Sequence, residues 1–179
     1  DAWIFLDLDA AMEAGFGDDS TTEVAVRAAA SIADKALGEN RAVGLTVNGH
    51  RLTVLPADRG ARQRLKILQL LAAVEADGKT PLDEALLTGL GRLRRGMTAI
   101  VITASGDTSF IRPLAALKKR GISTVVVTLD ASAFEPSEDA AGVELQRQRS
   151  RALRHALAEY QIATVVLDPH TPLAEAFAR

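Results

Sequence analysis

Four short apolar runs, Ala2 to Leu8, Thr98 to Thr103, Ile122 to Leu129 and Thr164 to Leu167, are separated by stretches patterned as helices, and this alternation constrains the fold more than any other feature. Runs of this length, rich in branched side chains and lacking polar alternation, suit strands buried on both faces of a parallel sheet. Parallel neighbours need crossovers long enough to hold a helix, and those crossovers are right-handed. Ligands then gather at the carboxyl ends of the strands, near the point where the strand order reverses. The expected fold is therefore a three-layer α/β/α sandwich, Rossmann-like, with a mostly parallel sheet.

The segments between the runs supply the remaining elements. Ser20-Thr21-Thr22-Glu23 has the spacing of a capping box and opens an alanine-rich helix to about Leu37, stopped by Gly38. Ala42 to Val47 and His50 to Leu55 read as a hairpin around Asn48-Gly49, a pair suited to a tight type I′ turn. That hairpin brings the expected count to six strands, five parallel and one antiparallel at an edge. Leu65, Leu68, Leu71 and Val74, with Ile67 and Leu70 beside them, give a wide apolar face to a helix between Arg62 and Ala76. Thr80 and Pro81 begin a helix to about Arg94, with the threonine as cap and the proline in the first turn. Further helices are expected around Leu114 to Arg120, from Ala140 to Tyr160, and from Thr171-Pro172 onward; Ala131 to Asp139 is expected to be a loop.

A chain of 179 residues suits a single domain spanning 1–179, and 47% hydrophobic with 25% charged residues lies in the globular range. The basic residues are spread along the chain and the net charge is −2, so no stripe of cations is available to neutralise a phosphate backbone, and nucleic acid is not an expected partner. The absence of cysteine removes disulfides, thiolate zinc sites and cysteine nucleophiles, and favours the cytoplasmic side. No apolar run approaches the ~18 residues that span a bilayer. Opening on a strand at Asp1, the chain reads as the C-terminal part of a longer protein.

Chemistry concentrates where the first strand ends. Asp7 and Asp9 stand two residues apart at that edge, and such carboxylates can ligate a hard cation such as Mg2+ or Mn2+. The run Phe5-Leu6-Asp7-Leu8-Asp9-Ala10-Ala11-Met12, followed later by Asp77-Gly78-Lys79-Thr80-Pro81-Leu82, resembles a von Willebrand factor A domain. The metal-ion-dependent adhesion site of that family uses an Asp-x-Ser-x-Ser strand end, a threonine in a Gly-x-Thr loop, and an aspartate after the fourth strand. The resemblance puts Asp7 at the invariant aspartate and Thr80 at the threonine, but Asp9 and Ala11 where the serines belong. In Ile102-Thr103-Ala104-Ser105-Gly106-Asp107 the last aspartate position falls on Ala104, and Asp107 lies too far along. The implied metal site, Asp7, Asp9 and Thr80, is thus degenerate, and Thr80 has a competing role as a helix cap.

More narrowly, the stretch from Trp3 through Phe134 is similar to the A-like domain of the bacterial family called domain of unknown function 58. The likeness lies in FLDLDAAM, Asp18-Asp19-Ser20-Thr21-Thr22-Glu23-Val24-Ala25-Val26, Val43-Gly44-Leu45, Leu55-Pro56-Ala57-Asp58-Arg59-Gly60 and Leu117-Lys118-Lys119-Arg120-Gly121. It implies a parent protein attached to the cell membrane, this domain on the cytoplasmic side, and a MoxR-type AAA+ ATPase as protein partner in the assembly or maturation of other proteins. It implies a binding module and not an enzyme.

The rival reading is a haloacid dehalogenase-like phosphohydrolase. Asp7 would attack phosphorus, Asp9 would shuttle the proton, Ser105 or Thr103 would hold phosphate, and Lys118 or Lys119 would neutralise it, with a lone Asp130 for the later acids. Gly78-Lys79-Thr80 lacks the earlier glycine and the preceding strand of a P-loop. His50, His155 and His170 form no zinc spacing, and no Gly-x-Ser-x-Gly elbow is present. Arg147, Arg149, Arg151 and Arg154 could dock an acidic partner, or simply form a solvated helix face balanced by Glu144 and Glu159. The expected ligand-facing rim consists of the loops Asp7 to Asp19, Asp77 to Pro81 and Ala104 to Ser109.

Overall fold

A computed structural model describes residues 1–134, 140–170 and 172–176. Its strands are β1 (Ala2–Asp7), β2 (Val43–Asn48), β3 (Leu52–Asp58), β4 (Thr98–Thr103), β5 (Ser123–Leu129) and β6 (Ala163–Leu167). They form one six-stranded sheet in the order β3-β2-β1-β4-β5-β6, parallel throughout except for the β2–β3 pair at one edge. The helices are α1 (Thr21–Gly38), α2 (Gly60–Ala72), α3 (Leu82–Leu90), α4 (Ile111–Lys119), α5 (Ala140–Glu159) and α6 (Leu173–Ala176). They lie on both faces of the sheet, so the expected three-layer sandwich is the fold. No helix among the described residues is long and apolar enough to cross a membrane.

β1 is central because alternate residues feed two cores. Ile4 and Leu6 join α1 and α2 on one face; Trp3 and Phe5 join α3, α4 and α5 on the other. With every residue of β1 buried, the strand could occupy no edge. Trp3 lies flat over Gly44 of β2, where a methyl group would fall 2.5 Å from its ring, and its indole N–H donates to Thr46 Oγ1 at 2.9 Å. Burial of the ring therefore leaves no donor unpaired.

Several sequence expectations are corrected in detail. The hairpin has no two-residue turn: Asn48 is the last residue of β2, paired with Leu52, and the connection is Gly49-His50-Arg51. Neither Asn48 nor Gly49 has the positive φ that a type I′ turn demands. On α2 the buried stripe is Gln63, Ile67 and Leu71, while Leu65 and Leu68 are exposed. Gln63 is inside because β2 and β3 shift register between Val43 and Leu45, and its amide donates to the carbonyls of Val43 and Pro56 at 2.8 and 2.9 Å. Ser20 caps α1 through a bond from the Glu23 amide at 3.2 Å, but the Ser20 N–H goes to the Gly17 carbonyl, so only half of the capping box forms. Asn40, at φ 59°, turns the chain after α1 in place of Gly38. Residues 135–139 of the expected loop and Thr171 of the last helix start lie outside the described residues.

Candidate functional site

The strand order reverses between β1 and β4, and the carboxyl ends of these strands carry Asp7 and Thr103. Asp7 is buried, with 6% of its surface accessible, and both of its oxygens are engaged. Asn48 Nδ2 donates to Oδ1 at 2.9 Å, and the Thr103 hydroxyl donates to Oδ2 at 2.7 Å. The second proton of the Asn48 amide goes to the Thr80 carbonyl at 2.8 Å. Since both neighbours are acceptors, the NH2 arm of Asn48 must face them. The other arm, Oδ1, is buried without a hydrogen-bond partner among the described residues. Thr103 in turn accepts the Ser105 amide at 2.9 Å, which ties the loop after β4 to the same cluster.

The Asp77 to Pro81 loop is fastened to the end of β1 by backbone alone. Gly78 donates to the Leu8 carbonyl at 2.9 Å, and Ala10 donates to the Gly78 carbonyl at 3.2 Å, as in a one-residue parallel bridge. A Cβ on Gly78 would sit 2.7 Å from the carbonyl oxygens of both Asn48 and Leu8, so only glycine lets this loop close. Thr80 is brought beside Asp7 in this way, but through its carbonyl. Its hydroxyl caps nothing: α3 begins at Leu82 with Pro81 at the cap position and no side-chain cap bond. The expected capping role of Thr80 is therefore corrected, because Pro81 itself occupies the cap.

Burial pushes the Asp7 carboxyl above the usual carboxylate range, opposed by the bonds from Thr103 and Asn48 and assisted by the Asp9 charge. Asp9 is half-buried and points elsewhere: its Oδ1 accepts the Ala11 amide at 2.9 Å and caps a single 3-10 turn, Ala10–Met12. Asp107 is engaged by Ser109, whose amide donates to Oδ1 at 3.2 Å and whose hydroxyl donates to Oδ2. The Ser109 hydroxyl bond, chiefly, holds the Asp107 carboxyl below its ordinary range despite partial burial. The space bounded by Asp7, Asp9, Glu13, Thr21 and Ala104 amounts to about 10 Å3, room for no more than one water.

A von Willebrand A-type cation site would ask these residues for a near-octahedral cage of oxygens. They supply only part of it. Each Asp7 oxygen already accepts one hydrogen bond and Asp9 Oδ1 accepts the Ala11 amide, while Ala11 and Ala104 offer no side-chain oxygen. Among the described residues no group of three His, Cys, Asp or Glu side chains is gathered as a metal site. His50 pairs with Asp77 at 3.3 Å and His155 with Glu159 at 3.3 Å, on separate elements.

Of the phosphohydrolase set, Thr103 and Ser105 join Asp7, but Lys118 does not. Lys118 lies at the end of α4, at the opposite edge of the sheet, where its amine donates to the Gln161 carbonyl at 2.8 Å. Asp130 accepts from Ser132 and Ser150 at the end of β5. The largest cavity described, about 690 Å3, also lies at that opposite edge, between α1 and β4–β5, away from every residue singled out above. In the sequence Asn48 reads as a turn residue and Thr103 as a phosphate-binding hydroxyl; the structure places both on the Asp7 carboxylate. The signal available for Asn48 was its place at the end of a strand adjacent to the one bearing Asp7.

Residues 1–157 match the family described as Protein of unknown function DUF58. The chain belongs to this family. Uncharacterised proteins of Mycobacterium bovis and Mycobacterium tuberculosis are 29% identical over 159 residues, covering 86% of this chain and 50% of theirs. The chain thus spans about half the length of the curated relatives it matches. Among solved structures, the conserved hypothetical protein BatB from Bacteroides thetaiotaomicron superposes with a TM-score of 0.66 at 18% identity, over 99% of this chain and 93% of that one. The pilus adhesin SpaC from Lactobacillus rhamnosus GG gives 0.58 at 10% identity, over 99% of this chain and 29% of that one. At such identities the likeness is one of fold.

Proposed function

We propose that this domain is a non-enzymatic protein-interaction module of von Willebrand A type, acting in the assembly or maturation of other proteins with a MoxR-type AAA+ ATPase as its partner. In this reading its adhesion site is degenerate: Asp7, Asp9 and Thr80 occupy the positions of metal ligands but organise the rim, and the parent protein is attached to the membrane. The observation that carries the reading is the closure of Asp7. A nucleophile or a metal ligand must be reached by its partner, whereas Asp7 is buried and each of its oxygens already accepts a bond, from Asn48 and from Thr103. Those bonds instead tie β1, β2, β4 and the loop at Thr80 into one rigid platform, and loops placed by such a scaffold are where binding surfaces are built.

The reading is tested by calorimetry and capture together. Titration of Mg2+ or Mn2+ into the wild type and Asp7→Ala is expected to give no binding heat in either, and capture of a purified MoxR-type ATPase by the immobilised domain is expected to persist in EDTA. Cation binding by the wild type that disappears in Asp7→Ala would overturn the degenerate site. Turnover of a generic phosphate ester, lost in Asp7→Ala, would restore the phosphohydrolase.

A further inference from the structure

Between β1 and α1 the chain makes a platform that the Asp7 cluster does not use. Phe16 is 88% exposed, more than any other large apolar side chain described. It stands between Gly15 and Gly17, both at positive φ, 81° and 59°. A side chain at Gly15 would be strained by that φ and would press on the carbonyls of Asp19 and Phe134 at 3.0 Å. The loop is nonetheless anchored: the Ala14 amide donates to Thr21 Oγ1 at 3.0 Å, the Thr21 amide to the Ala14 carbonyl at 2.8 Å, and the Ser20 amide to the Gly17 carbonyl at 3.1 Å. An aromatic ring is thus held out in water on a fixed loop, against the hydrophobic effect.

The ring borders a concavity of about 670 Å3, lined also by Glu13, Asp18, Ser20, Thr22 and Glu23. From Asp9 to Val26 the sequence holds five acidic residues and no lysine or arginine, in a chain whose net charge is only −2. Arg27 follows, but its guanidinium donates to the Asp18 carbonyl, and none of these carboxylates is ion-paired among the described residues. An exposed aromatic face bounded by unpaired carboxylates is complementary to a long cationic side chain, whose charge meets the carboxylates while its planar or aliphatic part covers the ring.

We infer that this platform docks a basic, extended segment of a protein partner, with an arginine stacked on Phe16 and neighbouring cations facing Glu13, Asp18 and Glu23. The inference rests on the protein-interaction reading and supplies the partner's local chemistry. The test is fluorescence anisotropy with a short labelled peptide of alternating arginine and leucine, beside the same peptide with glutamate in place of arginine. The arginine peptide is expected to bind the wild type and Phe16→Trp, to lose roughly tenfold in affinity for Phe16→Ala, and to lose salt dependence with Glu13→Gln and Glu23→Gln. Phe16 is exposed, so its variants should fold, and circular dichroism checks that they do.

Absence of binding, equal binding of the glutamate peptide, or unchanged affinity in Phe16→Ala would each overturn the inference. So would displacement by Mg2+ that is the same in wild type and Phe16→Ala, which would make the acids a cation site. Capture of the ATPase that is unaffected by Phe16→Ala removes the platform and leaves the interaction module standing. Peptide binding without ATPase capture removes that partner and leaves the platform.

Discussion

Asp7 shows how little a carboxylate at a strand end says about its use until its neighbours are known. Its carboxyl is pushed up by burial, so the folded protein holds the proton more tightly than the unfolded chain does. The unfolded state gives up that proton first as pH rises from the ordinary value of 3.8, so Asp7 is most favourable to folding at low pH. Its contribution falls as pH climbs through the raised folded value and is constant above it. Asp7→Asn keeps the bond from Asn48, and Thr103 can turn from donor to acceptor. The stability of Asp7→Asn relative to wild type should therefore increase with pH over that window, by urea unfolding at a series of pH values. Asp7→Ala strands the Asn48 amide and the Thr103 hydroxyl and should cost about 2–4 kcal/mol. A stability of Asp7→Asn relative to wild type that falls as pH rises would contradict the assignment. Asp7 and Asp9 were legible in the sequence because acids closing an apolar strand stand out. Asn48 was not, because Asn-Gly between two strand-like runs carries a stronger local signal for a turn than for a buried amide.

Elements were legible where a single period governs them. The four apolar runs became β1, β4, β5 and β6 within about a residue at each end; burial on both faces leaves only one pattern for the inner three, and β6 is a half-exposed edge strand. Helix starts and faces were less legible, because contacts distant in sequence decide them. Gln63 is buried only because a bulge in a neighbouring strand pair leaves carbonyls to satisfy. Thr80 does not cap because α3 starts one residue later than expected, with Pro81 at the cap and the loop before it pinned by Gly78. That pinning can be measured. Gly78→Ala puts a methyl group against two backbone oxygens that cannot swing aside, so the loop must detach from β1. We expect a loss of about 1–3 kcal/mol and faster amide exchange at Gly78 and Ala10, whose bonds join loop and strand. Exchange unchanged at both positions would show that the close approach does not fix the loop.

For the molecule as a whole, the mostly parallel sheet presents two edges with different side chains. Its carboxyl edge carries the Asp7 cluster, the Gly78 loop and the Phe16 platform; its amino edge carries the ends of α4 and α5, where Lys118 closes on the chain entering β6. The carboxyl edge carries the five acids of the Asp9 to Val26 segment with Arg27 next to them, while Lys118, Lys119 and Arg120 cluster at the far edge. A partner recognised at the carboxyl edge should then feel charge there and ignore it elsewhere. Asp19→Lys, at an exposed rim position, is expected to slow association of the partner by about tenfold at low salt and less at high salt. Lys119→Glu, on the opposite edge, should leave the rate within about twofold and stability within about 0.5 kcal/mol. Surface plasmon resonance across ionic strength reads both. Equal slowing by the two variants would mean that the partner responds to the net charge of the protein, and the carboxyl rim would lose its claim to be the recognition surface.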